Sequence, residues 1–193
     1  MKTLNLPKTT IWHHVKKIRL TKLQKVKLRS NQGGSRIRKE NNINIANARA
    51  EGLLEGPHKH FLTILGMLYW AEGHKTNGCI FTNTDADMIR VYLKILREVL
   101  GISDDSLAIT IRIFTGMSES VCAAHWSQVI NIPAKRIDVR FNDGGSSGKS
   151  KFGICRITVK KGQAELKLMH ALISKTVQEV LRRHSSMDRT RYS

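Results

Sequence analysis

Between residues 57 and 181 the apolar positions recur with helical spacing in some stretches and with strand spacing in others. His58 to Glu72 (HKHFLTILGMLYWAE) is apolar nearly all round and follows Pro57, a residue tolerated in a first helical turn, so it predicts a buried helix. Gly73 comes next, where a left-handed cap is expected. Lys75 to Phe81 reads as a short hairpin, because Asn77-Gly78 is a favoured two-residue turn. Thr84 and Asp85 can cap a helix with Met88, Ile89, Tyr92, Ile95, Leu96, Val99 and Leu100 on one face and Gly101 at its end. Leu107 to Phe114 sets Ile109, Ile111 and Ile113 against Thr110 and Arg112, the period of a strand. Ser118 opens a helix through Val129, and Ile137 to Phe141 and Phe152 to Val159 read as strands on either side of the loop NDGGSSGKSK. Ala164 to Leu181 is an amphipathic helix with Leu166, Met169, Leu172, Ile173, Val177 and Val180 inward. The order predicts an α+β domain over residues 57–183, with an antiparallel sheet and helices packed on one face.

Residues 1–57 differ in character. Thr9 or Thr10 can cap a helix carrying Ile11, Trp12, Val15 and Ile18, with Lys16, Lys17 and Arg19 around them, and Lys22 to Ser30 reads as a second short basic helix. This gives a small basic helical arm over residues 1–30. Asn31 to Ser35 contains Gly33-Gly34, and the stretch to Glu55 is polar and Asn-rich, so residues 31–56 read as a flexible linker that is at most partly helical. Residues 184–193 read as a disordered tail.

Charge sharpens the picture. The chain of 193 residues holds 33 Lys+Arg against 15 Asp+Glu, a formal net charge of +18, and more than half of that excess falls in residues 1–57. A protein this basic repels itself unless a polyanion neutralises it, which points to nucleic acid; an inert basic surface or a ribosome-associated chain is the alternative. No apolar run approaches the roughly 18 residues of a membrane span, and no leader-like segment opens the chain, which predicts an unsecreted, cytoplasmic protein. Cys79, Cys122 and Cys155 are an odd number with no paired spacing, unlike a disulfide scaffold or thiolate zinc site. The segment GGSSGKS has the wrong spacing and context for a phosphate-binding loop, and no small-molecule substrate is inferred.

The sharpest local feature is Glu72, a lone carboxylate at the end of the apolar helix. A negative charge at a helix C-terminus opposes the macrodipole. Glu72 is therefore a candidate metal ligand or general base, or else it pairs with His74 or Lys75 on the surface. Gly66 along the same helix would let another helix approach closely.

LGMLYWAEG resembles the LAGLIDADG motif of homing endonucleases: Leu65, Leu68, Ala71 and Gly73 match, Gly66 replaces Ala, and Glu72 stands for the final acid. Phe81 to Gly101 resembles the strand and acid-capped helix that follow, and the likeness covers about residues 57–181. The chain is similar to the bacterial and archaeal members that place a helix-turn-helix segment ahead of one motif, here in truncated form at Pro7 to Gln24. Met67 and Tyr69-Trp70 depart from the family pattern. The resemblance implies a saddle-shaped sheet lying in the major groove of double-stranded DNA, in a nucleoid-associated protein. It implies a homodimer joined through Leu65, Gly66, Leu68 and Tyr69, with Glu72 from each chain holding Mg²⁺ and Lys75 assisting at the phosphate. Strand residues Arg112, Arg140 and Arg156 are candidate base-edge contacts, and Lys149 and Lys151, with Trp12, Lys16, Lys17 and Arg19 of the arm, candidate DNA contacts. Three readings follow: a metal-dependent DNA endonuclease, a non-catalytic DNA-binding regulator on the same scaffold, and an RNA-associated basic protein.

Overall fold

The structure is a computed structural model that describes Thr9, Thr10, His13, residues 16–142 and residues 150–187. The chain divides into two units, residues 1–41 and 42–193. The elements are α1 (Lys22–Glu55), α2 (Lys59–Glu72), β1 (Ile80–Asn83), α3 (Ala86–Glu98), β2 (Leu107–Phe114), α4 (Glu119–Ile130), β3 (Ile137–Asn142), β4 (Ile154–Val159) and α5 (Gln163–Met187). None of the described helices is long and apolar enough to cross a membrane.

The expected linker is helical. Helix α1 starts at a reciprocal cap, in which the Thr21 N–H donates to Gln24 Oε1 at 2.9 Å and the Gln24 N–H donates to Thr21 Oγ1 at 3.3 Å. Its backbone then continues through Gly33-Gly34 to Glu55, where residues 31–56 had read as flexible. Within the first unit Leu23, Val26 and Ile37 are exposed, so that unit buries little. In the second unit Ala46 and Ala50 join the hydrophobic core, and Glu51 pairs with Lys175 of α5 at 3.2 Å. The folded domain therefore begins near residue 42 and not at 57. The late alanines supply the reason: small side chains on one face let a helix lie close on its neighbour. At the other end α5 reaches Met187, so the first residues of the expected tail are helical in backbone, and 188–193 lie outside the described residues.

The fold class is α+β, but the sheet is mixed. Its order is β1-β4-β2-β3, with β4 antiparallel to both neighbours and β2 parallel to β3. The expected all-antiparallel sheet fails at that parallel pair. Helix α4 returns the chain between β2 and β3, and such a crossover is what makes parallel pairing possible. The hairpin expected at Lys75 to Phe81 is also absent: only β1 forms, and Gly73 makes an isolated bridge to Phe81. Strand β1 finds its partner in β4, far along the chain.

One face of the sheet is sealed. Phe81, Ile109, Ile111, Ile113, Cys155, Ile157 and Val159 are buried in one core with Tyr92 and Leu96 of α3, Trp126 of α4, and Leu168 and Leu172 of α5. Local signals that set these helices hold as read. Asp85 accepts from the Asp87 and Met88 N–H groups, and Ser118 accepts from the Val121 N–H. Trp126 anchors α4 by donating from its indole N–H to the Phe152 carbonyl at 2.8 Å.

Removing residues 1–41 should leave the melting temperature of the remaining domain nearly unchanged. Removal of 1–57 takes Ala46, Ala50 and the Glu51–Lys175 pair away and should lower it by about 5 °C or more. Calorimetry of the two truncations reads this; equal melting temperatures would put the boundary back at 57.

Candidate nucleic-acid interface and the end of helix α2

The other face of the sheet follows from register. Thr82 of β1 faces Arg156 of β4, Arg156 faces Thr110 of β2, and Thr110 faces Asp138 of β3. One step along, Ile154, Arg112 and Arg140 form the next row. Strand side chains alternate, so Arg112, Arg140 and Arg156 all leave the sheet on one side, with Arg112 and Arg140 on adjacent strands about 5 Å apart at the backbone. Arg112 and Arg140 are exposed and Arg156 half-buried; on this face only Ile80 and Phe114, at strand ends, are buried. Like charges directly opposite one another cost stability. Asp138 relieves part of that by accepting from Arg140 at 2.7 Å, while Arg112 and Arg156 have no partner among the described residues.

The sequence named these three arginines separately, and the register brings them together. It adds Thr82, Thr110 and Thr158, which were not singled out, and whose only signal was strand parity with the arginines. Lys151 lies over the Phe152 ring, 5.3 Å from its centroid, and Phe152 stacks on His125 at 3.7 Å. Lys149 and Trp12 lie outside the described residues; Lys16, Lys17 and Arg19 are exposed in the first unit.

Helix α2 carries the second candidate site. Its core stripe is Leu62, Leu65, Gly66 and Tyr69, all buried inside one protomer. Gly66 faces α5, where an added Cβ would meet Leu172 Cβ at 3.4 Å and Ile173 N at 3.6 Å. Leu65, Gly66 and Tyr69 are therefore not surface residues, which corrects their expected place in a dimer interface: the helix that approaches Gly66 is the chain's own α5. Leu68 is half-buried, and the apolar residues left outside are Phe61, Ile64 and Trp70. A helix apolar all round had signalled burial on all sides, and the periodicity alone did not say which side lacked a neighbour.

Glu72 is exposed and has no ion pair or hydrogen bond among the described residues, so the surface pair with His74 or Lys75 does not form. Lys75 instead donates to the Tyr69 carbonyl at 2.9 Å and to the Trp70 carbonyl. A cation over the last carbonyls stabilises the helix end. Lys75 thus has a capping job, which competes with the phosphate role expected of it. His74 Nδ1 accepts from the Asn77 N–H at 3.2 Å and shapes the following turn. Gly73 is extended at φ −78° and not left-handed; glycine is needed there because an added Cβ would sit 2.5 Å from the Tyr69 carbonyl oxygen.

Tyr69 fixes this region from within. Its hydroxyl donates to the His74 carbonyl at 2.7 Å and accepts from the Ile80 N–H at 3.3 Å, so it holds both ends of the loop behind Glu72. Burial, with Cys79 adding to it, raises its pKa well above the ordinary phenol value. The Cys79 thiol lies 3.5 Å from the Tyr92 hydroxyl, and burial pushes its pKa from 9.0 to about 11.

No group of three or more His, Cys, Asp or Glu side chains able to hold a metal occurs among the described residues. The end of α2 offers one carboxylate, Glu72. Magnesium is held by one or two carboxylates together with phosphate oxygens and water, so this donor set fits the ion only with help from a second chain and DNA. No family model, curated protein or solved structure matches the chain.

The folded state holds the Cys79 proton more tightly than the unfolded chain does. The stability from this is complete below pH 9 and is lost as pH rises through about 11. Urea midpoints measured between pH 9 and 11 should fall more steeply for wild type than for Cys79→Ala; parallel curves would show that the thiol is not what couples stability to pH.

Proposed function

We propose that the chain binds double-stranded DNA through the open face of its sheet and works as a homodimer on the plan of single-motif LAGLIDADG homing endonucleases. The observation that carries this is the grouping of Arg112, Arg140 and Arg156 on one uncovered sheet face of a +18 protein. Two arginines side by side repel, and a polyanion converts that repulsion into attraction. Arginine also matches the paired acceptors of guanine in the major groove, while threonines of the Thr82, Thr110 and Thr158 kind accept or donate to either base type. The saddle and the nucleoid location belong to this reading.

The second chain is supported by the outer side of α2. Phe61, Ile64 and Trp70 are large, apolar and exposed, and Leu68 and Met67 lie half-buried beside them. Pairing along that side would bring the two α2 ends, and the two Glu72 carboxylates, towards one axis. Magnesium held there with a phosphate would supply charge neutralisation and an activated water for hydrolysis. Glu72 would hold the ion, and Tyr69 would keep the loop behind it in place. The non-catalytic regulator is the second reading. It is favoured by the helix-capping position of Lys75, which leaves Glu72 as the one candidate catalytic group at that end.

Two measurements separate these readings. Arg112→Ala combined with Arg156→Ala should weaken duplex binding by about tenfold or more and reduce the salt slope. Unchanged affinity would remove the sheet from the interface, and better binding to a structured RNA hairpin would favour the RNA-associated reading. Wild type with Mg²⁺ should nick plasmid DNA while Glu72→Gln binds but does not cut. No nicking by wild type, with binding intact under chelation, selects the regulator.

A further inference from the structure

We propose that the crevice between α1 and the start of α5 is a second DNA-backbone site, built on the helical side of the domain and separate from the arginine face of the sheet. It rests on the reading that DNA is the partner, and it adds a second point of attachment.

The argument starts from what the basic side chains of residues 42–193 do. Most are engaged within the protein. Arg97 pairs with Asp104 at 2.7 Å and donates to the Ile130 carbonyl, and Arg136 pairs with Asp105 at 3.1 Å. Lys160 donates to the Asp105 carbonyl at 2.8 Å. Apart from Lys135, and Lys151 over the Phe152 ring, the described basic side chains of this unit that have no such partner fall in two places. Arg112 and Arg156 are on the sheet face; Arg49, Lys161 and Lys167 surround one crevice. Cations with no structural task are the ones free to meet an external anion.

The crevice has a volume of about 340 Å³. Arg49 comes from α1, Lys161 from the turn before α5, and Lys167 from α5, with the amides of Asn42 and Gln163 at the rim. No Asp or Glu lines it, and its floor of Ala46 and Leu168 is apolar, with exposed Ile45 at the edge. Three like charges around a concave, low-dielectric floor raise one another's potential, and such a hollow concentrates anions. Lys167 also borders a neighbouring hollow of about 300 Å³ lined by Asn47, His170 and Ser174, again without an acid. The two hollows form a run of donors along α5, long enough for successive phosphates of one strand, with no Phe, Tyr or Trp ring in their lining for a base. That chemistry suits a sequence-independent backbone contact. Because α5 packs on the sealed side of the sheet, a duplex in the crevice and a duplex on the arginine face are different segments.

The test uses the full chain and a short DNA duplex, with stoichiometry read by sedimentation and affinity by anisotropy across a salt series. Wild type should bind three duplexes per dimer, one across the paired sheets and one in each crevice. Arg49→Ala with Lys167→Ala should drop this to one and reduce the salt slope by roughly two for each crevice, one for each lost phosphate contact. Arg49→Lys with Lys167→Arg should restore the crevice duplexes, which separates charge from folding. Arg112→Ala with Arg156→Ala should lose the sheet duplex and keep the crevice ones. Three duplexes with an unchanged slope in the crevice variant would overturn the proposal, as would a single duplex per dimer on wild type that only the sheet variant loses. Loss in the crevice variant alone would uphold the crevice and count against the sheet.

Discussion

The structure turns on the burial of α2 along one side only. Fourteen residues, Lys59–Glu72, form a helix whose inner stripe of Leu62, Leu65, Gly66 and Tyr69 is fully covered. Gly66 lets α5 come close enough to seal it, so α2 and α5 pack against each other near the middle of each helix. Each buried large side chain of this stripe contributes on the order of 2 kcal/mol. The same geometry leaves Phe61, Ile64 and Trp70 outside, where apolar surface has no internal partner. The core and the surface proposed for a second chain are thus two sides of one helix.

The end of α2 is held by a separate device. Tyr69 belongs to the buried stripe, yet its hydroxyl reaches through to the His74 carbonyl and the Ile80 N–H. Lys75 folds back over the last carbonyls, and Gly73 clears the space against Tyr69. The loop is fixed at both ends, while Glu72 itself has no ion pair or hydrogen bond among the described residues. A carboxylate with a rigid base and a free head is suited to a ligand that arrives from outside. It is poorly suited to a structural ion pair.

Charge is distributed with comparable economy. Arginines that tie loops together, such as Arg97 and Arg136, have acids within hydrogen-bonding distance. Arg112 and Arg156 on the sheet and Arg49, Lys161 and Lys167 in the crevice have none among the described residues. Net charge of +18 says only that the surface is basic. The internal pairing separates the charges that hold the fold together from those that the proposed DNA contacts draw on.

Much of the fold was legible along the chain. The strand at Leu107–Phe114, the caps at Asp85 and Ser118 and the amphipathic faces of α3 and of α5 as far as Val177 are local patterns, set by the period of the backbone and the geometry of side-chain oxygens near free N–H groups; Val180, expected inward, is exposed because α5 runs on past the core there. Arg112, Arg140 and Arg156 were visible as strand residues, and Glu72 as an acid in an odd place. Pairing was not visible. That β4 would lie between β1 and β2, that β3 would run parallel to β2, and that the hairpin at Asn77-Gly78 would give way to a bridge at Gly73 depend on contacts between residues distant in sequence. The glycine pair in α1 misled for a related reason: local propensity argued for a joint, and the helix runs through it. Which side of α2 faces inward was likewise undetermined, because a helix apolar all round has no polar stripe to mark its outside. Periodicity and capping chemistry act within a few residues, so the amino-acid order alone decides them; register, facing and the meeting of unpaired cations are properties of the packed whole, and only the tertiary structure decides those.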